Sequence, residues 1–375
     1  MRSIVRYKPL THNILALFLL FLTPAAYAQQ HAPKEHGGKS EPFNFSEMII
    51  HHVTDSHEWH LATIGHTHYT IPLPVILYSP DRGLEIFSSH NFHSEGEAHE
   101  GAKARHAYNG YYIDGKTHKI KTMDESRRVY DFSITKNVMS MFVSLTLISI
   151  LFISIANRYK KNRNQTPKGI QALLEPVIVF LRDEVVRPNI GEKNYERFLP
   201  YMLMLFFFIL TNNLLGLLPG GANVTGNIAV TFTLAVLTLI LTLLNAKRDY
   251  WKHIFAAPGV PVWLLPIMVP VEIMGIFTKP LALMIRLFAN ITGGHIVILS
   301  FLGLIFLFKN VLVAGASIPL VVAMNFLELL VAFLQAYIFT LLSSMYIGSA
   351  VEEHGETDYG HLVGAARVAA QPTYN

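Results

Sequence analysis

Four polar side chains, of which one is a fixed cation and two can exchange a proton, interrupt the long apolar runs near the end of the chain. Arg286 and His295 lie nine residues apart in one apolar run, and Glu328 and Gln335 lie seven residues apart in the next. Arginine keeps its charge at ordinary pH, whereas histidine and a carboxylate can each take up and release a proton. These residue types predict a fixed cation near two groups that could pass protons.

Arg286 needs a counter-charge that its own stretch of chain does not offer. The nearest carboxylate in sequence, Glu272, is fourteen residues away. A charge within a membrane costs about 2.5–3.5 kcal/mol on insertion scales, so it faces a cavity, the protein interior or a partner. We therefore expect the counter-charge to come from another helix or another chain. An ion pair within the chain, with Glu328 or Glu272, is the alternative.

Helical spacing puts these groups at matching depths if the two apolar runs form an antiparallel hairpin. With Arg286 level with Gln335, His295 lies nine residues onward, which is about 13.5 Å along a helix. Glu328 lies seven residues back from Gln335, which is about 10.5 Å. His295 and Glu328 then reach a similar depth on the outer side of Arg286, where they could exchange protons.

Two further polar residues share the helix face of Arg286. Asn290 lies one turn after it, and Glu272 lies about 21 Å before it, toward the cytoplasm. Asn290 and Gln335 could instead be interhelical hydrogen-bonding groups without a role in proton transfer. With a fixed cation in the centre and polar groups on both sides, the pattern predicts two offset half-channels.

The composition is that of a membrane protein. Of 375 residues, 51% are hydrophobic and 15% are charged, against about 25% charged in soluble domains. Residues 198–246 contain no charged side chain. The absence of cysteine excludes disulfides, iron–sulfur clusters and thiolate metal sites. The net charge of +4 is small and its basic residues flank apolar runs, so it indicates topology and no nucleic-acid partner.

Residues 1–28 have the pattern of a signal peptide. A basic start precedes a short apolar core at 14–22 and an A-x-A cleavage site that ends at Ala28. The core is shorter than the roughly 20 residues that cross a bilayer, so we expect cleavage after Ala28 and a mature N-terminus outside the cytoplasm. An uncleaved first span is the alternative.

Residues 29–130 are predicted to form an exported, His-rich and partly β module. Short apolar or alternating runs, broken by Gly, Pro and Asp, predict strands at 61–64, 69–78, 84–87 and 111–113. The polar stretch from His90 to His106 is predicted to be a loop. Most of the eighteen histidines lie in this region, and His51, His52, His57, His60, His66 and His68 could bind zinc. No tight motif supports such a site, so we predict no metal site and no cofactor.

The remaining chain predicts an all-α polytopic membrane protein with about five transmembrane helices that ends in a long tilted helical hairpin. The expected spans are 134–155, 198–218, 228–245, 264–308 and 312–350. A surface helix is expected at 170–187. Basic residues follow the first and third spans and mark the cytoplasmic side. The membrane domain thus covers 131–352, and the tail at 353–375 is cytoplasmic.

Three motifs, in order along the chain, resemble the a subunit of the F-type ATP synthase membrane sector. The stretch Arg286-Leu287-Phe288-Ala289-Asn290, preceded by Lys279-Pro280, looks like the arginine helix of that family. The stretches 211–219 and 328–339 resemble its second-span signature and its last helix. The resemblance covers about 130–352. The His-rich extension before it resembles members from Bacteroidetes-like lineages.

The resemblance implies a non-catalytic, proton-conducting subunit in a bacterial inner membrane. Its partners would be the c-ring, a b-type stator subunit and the rest of the synthase, and nucleotide chemistry would belong to other chains. A membrane carboxylate on each c subunit would supply the counter-charge for Arg286. The family then implies that Arg286 keeps the passing ring carboxylate ionised and blocks a direct proton leak between the half-channels.

One position pair departs from many bacterial members of the family. Many of those members place glutamate at the position of His295 and histidine at that of Glu328, whereas in this chain the two are exchanged, as in mitochondrial members. One acid and one imidazole remain at the same depth, so the pair chemistry should survive. A secondary cation or metal transporter is the alternative function, and a structural membrane scaffold would not explain Arg286.

Overall fold

The computed structural model describes residues 55–64, 67–94, 107–114, 119–124, 127–161, 169–218, 220–255, 262–308 and 310–352. The predicted signal peptide and the tail at 353–375 lie outside these ranges.

In the described part of the chain, the N-terminal module contains eight short strands in three antiparallel sheets. The strands are β1 (Glu58–Ile64), β2 (Thr67–Pro72), β3 (Pro74–Ser79), β4 (Gly83–Ser88), β5 (Ala107–Tyr108), β6 (Tyr111–Ile113), β7 (Ile120–Thr122) and β8 (Tyr130–Asp131). Strand β1 pairs with β2, β3 lies between β4 and β8, and β6 lies between β5 and β7. The prediction of a small β-rich module is confirmed.

Strand β3 supplies the core of this module because its side chains alternate between two faces. Val75 and Leu77 point inward and are fully buried, as the period of two along a strand requires. Phe92, Tyr111 and Ile120 complete the cluster. Burial of these five side chains fixes the register of β3 against its neighbours.

The prediction of a loop from His90 to His106 is wrong at its start. A single helical turn, α1 (Asn91–Ser94), begins there, and the residues from 95 to 106 lie outside the described ranges. The backbone N–H of Phe92 donates to the carbonyl of Ser89, and the Phe92 ring packs into the module core. One buried aromatic side chain thus fixes a turn within a stretch of polar composition.

Ten helical segments follow in the described part of the chain. They are α2 (Lys136–Lys161), α3 (Ile170–Phe180), a π-helical segment (Leu181–Val186), α4 (Arg187–Ile190), α5 (Tyr195–Gly216), α6 (Ile228–Leu244), α7 (Arg248–Phe255), a 3-10 turn (Val262–Leu264), α8 (Leu265–Phe308) and α9 (Val311–Val351).

Four of these helices are long and apolar enough to cross a membrane, namely α2, α5, α8 and α9. Helix α6 joins α7 with a bend of 101° and makes a fifth span if the pair is counted as one. The five predicted spans match these helices to within a few residues at most ends. The polytopic all-α membrane fold is therefore confirmed.

Residues 170–187 are helical, as predicted, but the helix contains a π-helical segment, and its position at the membrane surface stays a prediction. Pro188 stands in the first turn of α4 and has no N–H to donate to the preceding turn. The backbone N–H of Arg187 bonds instead to the carbonyl of Arg182, five residues back. The widened turn accommodates the proline without ending the helix.

The chain forms two compact units. Of the described residues, the first contains those within 55–161, 205–232 and 284–337, and the second contains those within 169–204, 233–283 and 338–352. Helices α5, α6, α8 and α9 each contribute one part to each unit. In the second unit, Val186, Ile190, Phe198, Met202, Ile347 and Val351 form a buried apolar cluster.

Candidate functional site

In the first unit, the antiparallel helices α8 and α9 bring together two pairs of predicted site residues, Arg286 with Gln335 and His295 with Glu328. The side-chain amide of Gln335 donates to the backbone carbonyl of Arg286 at 3.2 Å. Further along α8 and further back along α9, Nδ1 of His295 lies 3.5 Å from Oε1 of Glu328. The level of His295 and Glu328 was predicted from an assumed level of Arg286 and Gln335, and the structure has both contacts.

Glu328 is a buried carboxylate that lies directly against the backbone of α8. It is 2% exposed, and neither of its oxygens has a hydrogen-bond donor among the described residues. A Cβ on Gly294 would stand 2.8 Å from Oε1 of Glu328, so only a glycine leaves room for this approach. The carboxylate is therefore held next to His295 with both oxygens able to accept a proton or a donor.

Arg286 lies in a different environment from Glu328. Its side chain is exposed, as is that of Asn290 one turn later. Among the described residues of this unit, no carboxylate forms an ion pair with Arg286, and Glu328 contacts His295 instead. The alternative of an Arg286–Glu328 pair is therefore not observed. An exposed permanent cation on an apolar helix face remains available to a partner.

Asn213 and Thr225 belong to this cluster and were missed as site residues in the sequence. The amide of Asn213 donates to the carbonyl of Ala332 on α9 at 3.3 Å, one turn from Glu328. The hydroxyl of Thr225 donates to Oδ1 of Asn213 at 2.6 Å. Both side chains are buried. An asparagine within an apolar span is costly unless it is bonded, and that cost was the signal available.

The buried loop between α5 and α6 carries Thr225 and lies beside His295. Thr292, one turn before His295, donates to the carbonyl of Gly226 at 3.5 Å. A Cβ on Gly216, at the end of α5, would lie 3.8 Å from Nε2 of His295. The imidazole thus has Glu328 near one ring nitrogen and the end of α5 near the other.

Glu272 lies in the second unit, in the early part of α8. Tyr250 of α7 interacts electrostatically with it. Tyr250 also lines a small cleft with Thr238, Thr242, Lys279, Tyr346 and Ser349. The ammonium of Lys279 lies 5.8 Å from the centroid of the Tyr346 ring. This unit therefore has its own group of polar side chains.

The described part of the chain contains no cluster of three or more His, Asp or Glu side chains that could hold a metal ion. Of the histidines considered for zinc, His51, His52 and His66 lie outside the described ranges. His57 is buried, and its Nε2 lies 3.1 Å from Oδ2 of Asp131.

A family model described as "ATP synthase A chain" matches residues 138–348. This range includes Arg286, the His295–Glu328 pair and Asn213. A second model, described as a domain of unknown function, matches residues 48–140, which include the β-rich module and the first residues of α2.

Curated relatives agree with the first match. A protein of Chloroherpeton thalassium named "ATP synthase subunit a" is 47% identical over 240 residues, which cover 62% of this chain and 71% of the relative. Proteins of the same name from Chlorobium phaeobacteroides and Myxococcus xanthus are 41% and 44% identical over 283 and 238 residues. These matches cover 72% and 62% of this chain, and 82% and 77% of the relatives.

Proposed function

Because the chain belongs to the ATP synthase A chain family and is a proton-translocating subunit of an F-type ATP synthase, we propose specific roles for its buried and exposed polar residues. Arg286 is the fixed cation that faces the carboxylates of a rotating c-ring. His295 and Glu328 pass protons between the outer aqueous side and that ring. The family assignment sets aside the alternative of a secondary cation or metal transporter.

The exposure of Arg286 is the observation that carries this proposal. The guanidinium stands on an apolar face of α8, near exposed Ile285, and no described carboxylate of its unit pairs with it. A permanent charge on a membrane-spanning helix needs a partner or water. A carboxylate that arrives on another chain meets that need, and it stays ionised beside the guanidinium because an opposite charge favours the charged form.

The outer half-channel is formed by the cluster around Glu328. His295 and Glu328 are close enough to exchange a proton through a small movement or one water molecule. Asn213 and Gln335 donate to backbone carbonyls of α9 and α8, and Thr225 donates to the side chain of Asn213. Asn290, exposed one turn beyond Arg286, lines the path between this pair and the ring.

The inner half-channel is formed in the second unit, with Glu272 as its acidic group. The nearby cleft offers the hydroxyls of Thr238, Thr242 and Tyr250, which can bind water or relay a proton. Polar groups of this kind inside a membrane domain mark proton or ion pathways.

The topology follows from the charges that flank the spans. Arg158, Lys160 and Lys161 end helix α2, and such a basic cluster marks the cytoplasmic side. The N-terminal module is then periplasmic, behind a signal peptide, and the C-terminus is cytoplasmic in a bacterial inner membrane. The chain performs no catalysis itself, and it works with the c-ring, a b-type stator subunit and the nucleotide-binding subunits.

ATP-driven proton pumping in inverted membrane vesicles tests the proposal. Arg286→Ala should abolish pumping while the complex still assembles, because the barrier between the half-channels is lost. Lys193→Ala removes an exposed positive charge from a loop of the second unit and should pump like wild type. Pumping by Arg286→Ala at the wild-type rate would contradict the proposed role of this residue.

A further inference from the structure

The segment 55–57, which precedes β1, is fixed to the first membrane helix. The carboxylate of Asp55 accepts hydrogen bonds from the hydroxyl of Thr135 at 2.8 Å and from the backbone N–H of Asn137 at 3.1 Å. The backbone N–H of Lys136 donates to the carbonyl of Ser56 at 2.8 Å. A carboxylate at a helix N-terminus satisfies its free N–H groups and complements its dipole. Residues 55 and 56 therefore cap α2.

A second contact holds the same segment. Nε2 of His57 lies 3.1 Å from Oδ2 of Asp131, and Oδ1 of Asp131 accepts the backbone N–H of Ser133 at 2.9 Å. His57 is buried, so this contact is shielded from solvent on the histidine side. The segment 55–57 is thus tied both to the strand that leaves the module and to the helix that enters the membrane.

Trp59, two residues later, reaches the loop between α5 and α6. Its indole N–H donates to the carbonyl of Gly220 at 2.7 Å, across 161 positions in sequence. Gly220 has a φ of 75°, a conformation that other residues rarely adopt, so the carbonyl direction depends on this glycine. This hydrogen bond joins β1 of the module to the loop 220–227 between α5 and α6.

That loop connects directly to the His295–Glu328 site. Ala222 and Val224 are fully buried, and Thr225 donates to Asn213, which donates in turn to Ala332 on α9. The carbonyl of Gly226 accepts a hydrogen bond from the hydroxyl of Thr292 on α8. A movement of the loop would therefore reach both helices that carry the proton-transferring pair.

We propose that Trp59 is a positioning residue for proton transfer, and that the exported module acts through it to hold the loop 220–227 against the His295–Glu328 site. This inference rests on the proposed function of that pair. The domain of unknown function at 48–140 thereby gains a role, which is to set the geometry of the outer half-channel. Because a neutral hydrogen bond shifts an equilibrium by about twofold to tenfold, its loss should change proton flux by a similar factor.

The test compares Trp59→Phe with wild type in assembled synthase in inverted vesicles. Phenylalanine keeps the aromatic bulk and removes the N–H donor. Pumping per assembled complex should fall about twofold to tenfold. The pH profile of pumping should also be displaced, because the distance between His295 and Glu328 changes. Trp263→Phe is the matched control, since Trp263 is 74% exposed, and it should leave both the rate and the profile unchanged.

A second measurement follows the loop itself. Hydrogen exchange in the complex should be faster at residues 220–227 in Trp59→Phe than in wild type or in Trp263→Phe. Equal exchange in all three would overturn the proposal, because the indole would then not restrain the loop.

Arg286→Ala in the same vesicles separates this inference from the proposed function. Loss of pumping in Arg286→Ala together with a wild-type rate and profile in Trp59→Phe would overturn the role of Trp59 alone. Pumping by Arg286→Ala would overturn both. If Trp59→Phe does not assemble, Trp59→Leu, which also removes the N–H donor, takes its place with the same expected decrease. Failure of both variants to assemble would show that Trp59 serves folding and would overturn its positioning role.

Discussion

Replacing Gly294 with alanine would place a methyl carbon 2.8 Å from Oε1 of Glu328 and 3.1 Å from its Cδ. Ordinary contacts between such atoms begin near 3.4 Å, so the carboxylate would have to move by about half an ångström. Because the Glu328 side chain can rotate, we expect the chain to fold and the complex to assemble. The distance of 3.5 Å between His295 and Glu328 would change, and with it the rate of proton exchange.

The expected loss can be estimated from the size of this movement. A misplacement of 1 Å between reacting groups can cost about 100-fold in rate, so a shift of half that size predicts a loss of about tenfold. ATP-driven pumping per assembled complex measures it.

Gly293→Ala is the matched control, because nothing lies within 4 Å of its added Cβ. Alanine raises helix propensity by about 1 kcal/mol in both variants, so the difference between them isolates the contact with Glu328. Shortening the acid with Glu328→Asp in the Gly294→Ala background should recover part of the pumping, as expected for residues in contact. Equal pumping by the two alanine variants would refute the reasoning that the close approach of Glu328 to α8 serves proton transfer.

Three further predictions follow from the described contacts. Asn213→Leu should reduce pumping about tenfold, because it removes the hydrogen bond that links α5 to α9. Asn212→Leu should reduce pumping less, because the amide of Asn212 donates within its own helix. A larger loss in Asn212→Leu than in Asn213→Leu would contradict this role of Asn213. Burial alone would raise the pKa of Asp131, but the hydrogen bonds from His57 and Ser133 lower it below its ordinary value of 3.8. The ionised Asp131 therefore stabilises the module above about pH 4, and this stabilisation is lost as the pH falls below about 4. In Asp131→Asn, the resistance of the module to proteolysis should fall less between neutral and acidic pH than it does in wild type. Leu77→Ala should destabilise the module by about 2–5 kcal/mol, because Leu77 is fully buried, and unchanged thermal resistance to proteolysis would show that this core does not stabilise it.

The levels of the polar groups could be predicted because helical geometry fixes them within each helix. The rise of 1.5 Å per residue determines the distances from Arg286 to His295 and from Gln335 to Glu328. One quantity remained free, the register of α8 against α9, and it was supplied by assuming that Arg286 and Gln335 are level. The hydrogen bond from Gln335 to the carbonyl of Arg286 shows that register in the structure.

The rest of the site depends on contacts that a local pattern does not contain. Asn213 meets Ala332 across 119 positions, and Trp59 meets Gly220 across 161. Such pairs are set by tertiary packing, and the spacing of apolar residues along one helix gives no information about them. The need for glycine at 294 likewise follows from the approach of a side chain on another helix.

The contrast between Glu328 and its neighbours argues that this carboxylate is kept for function. Asn213, Thr225 and Gln335 are buried in the same region, and each has a hydrogen-bond partner. Glu328 is equally buried, yet neither oxygen has a donor among the described residues. Leaving a buried polar group unpaired costs about 1–3 kcal/mol, more for a charged one, and a purely structural carboxylate would be bonded as its neighbours are. Buried groups that break such a rule tend to be functional, and a group that must accept and release a proton cannot be held permanently by donors.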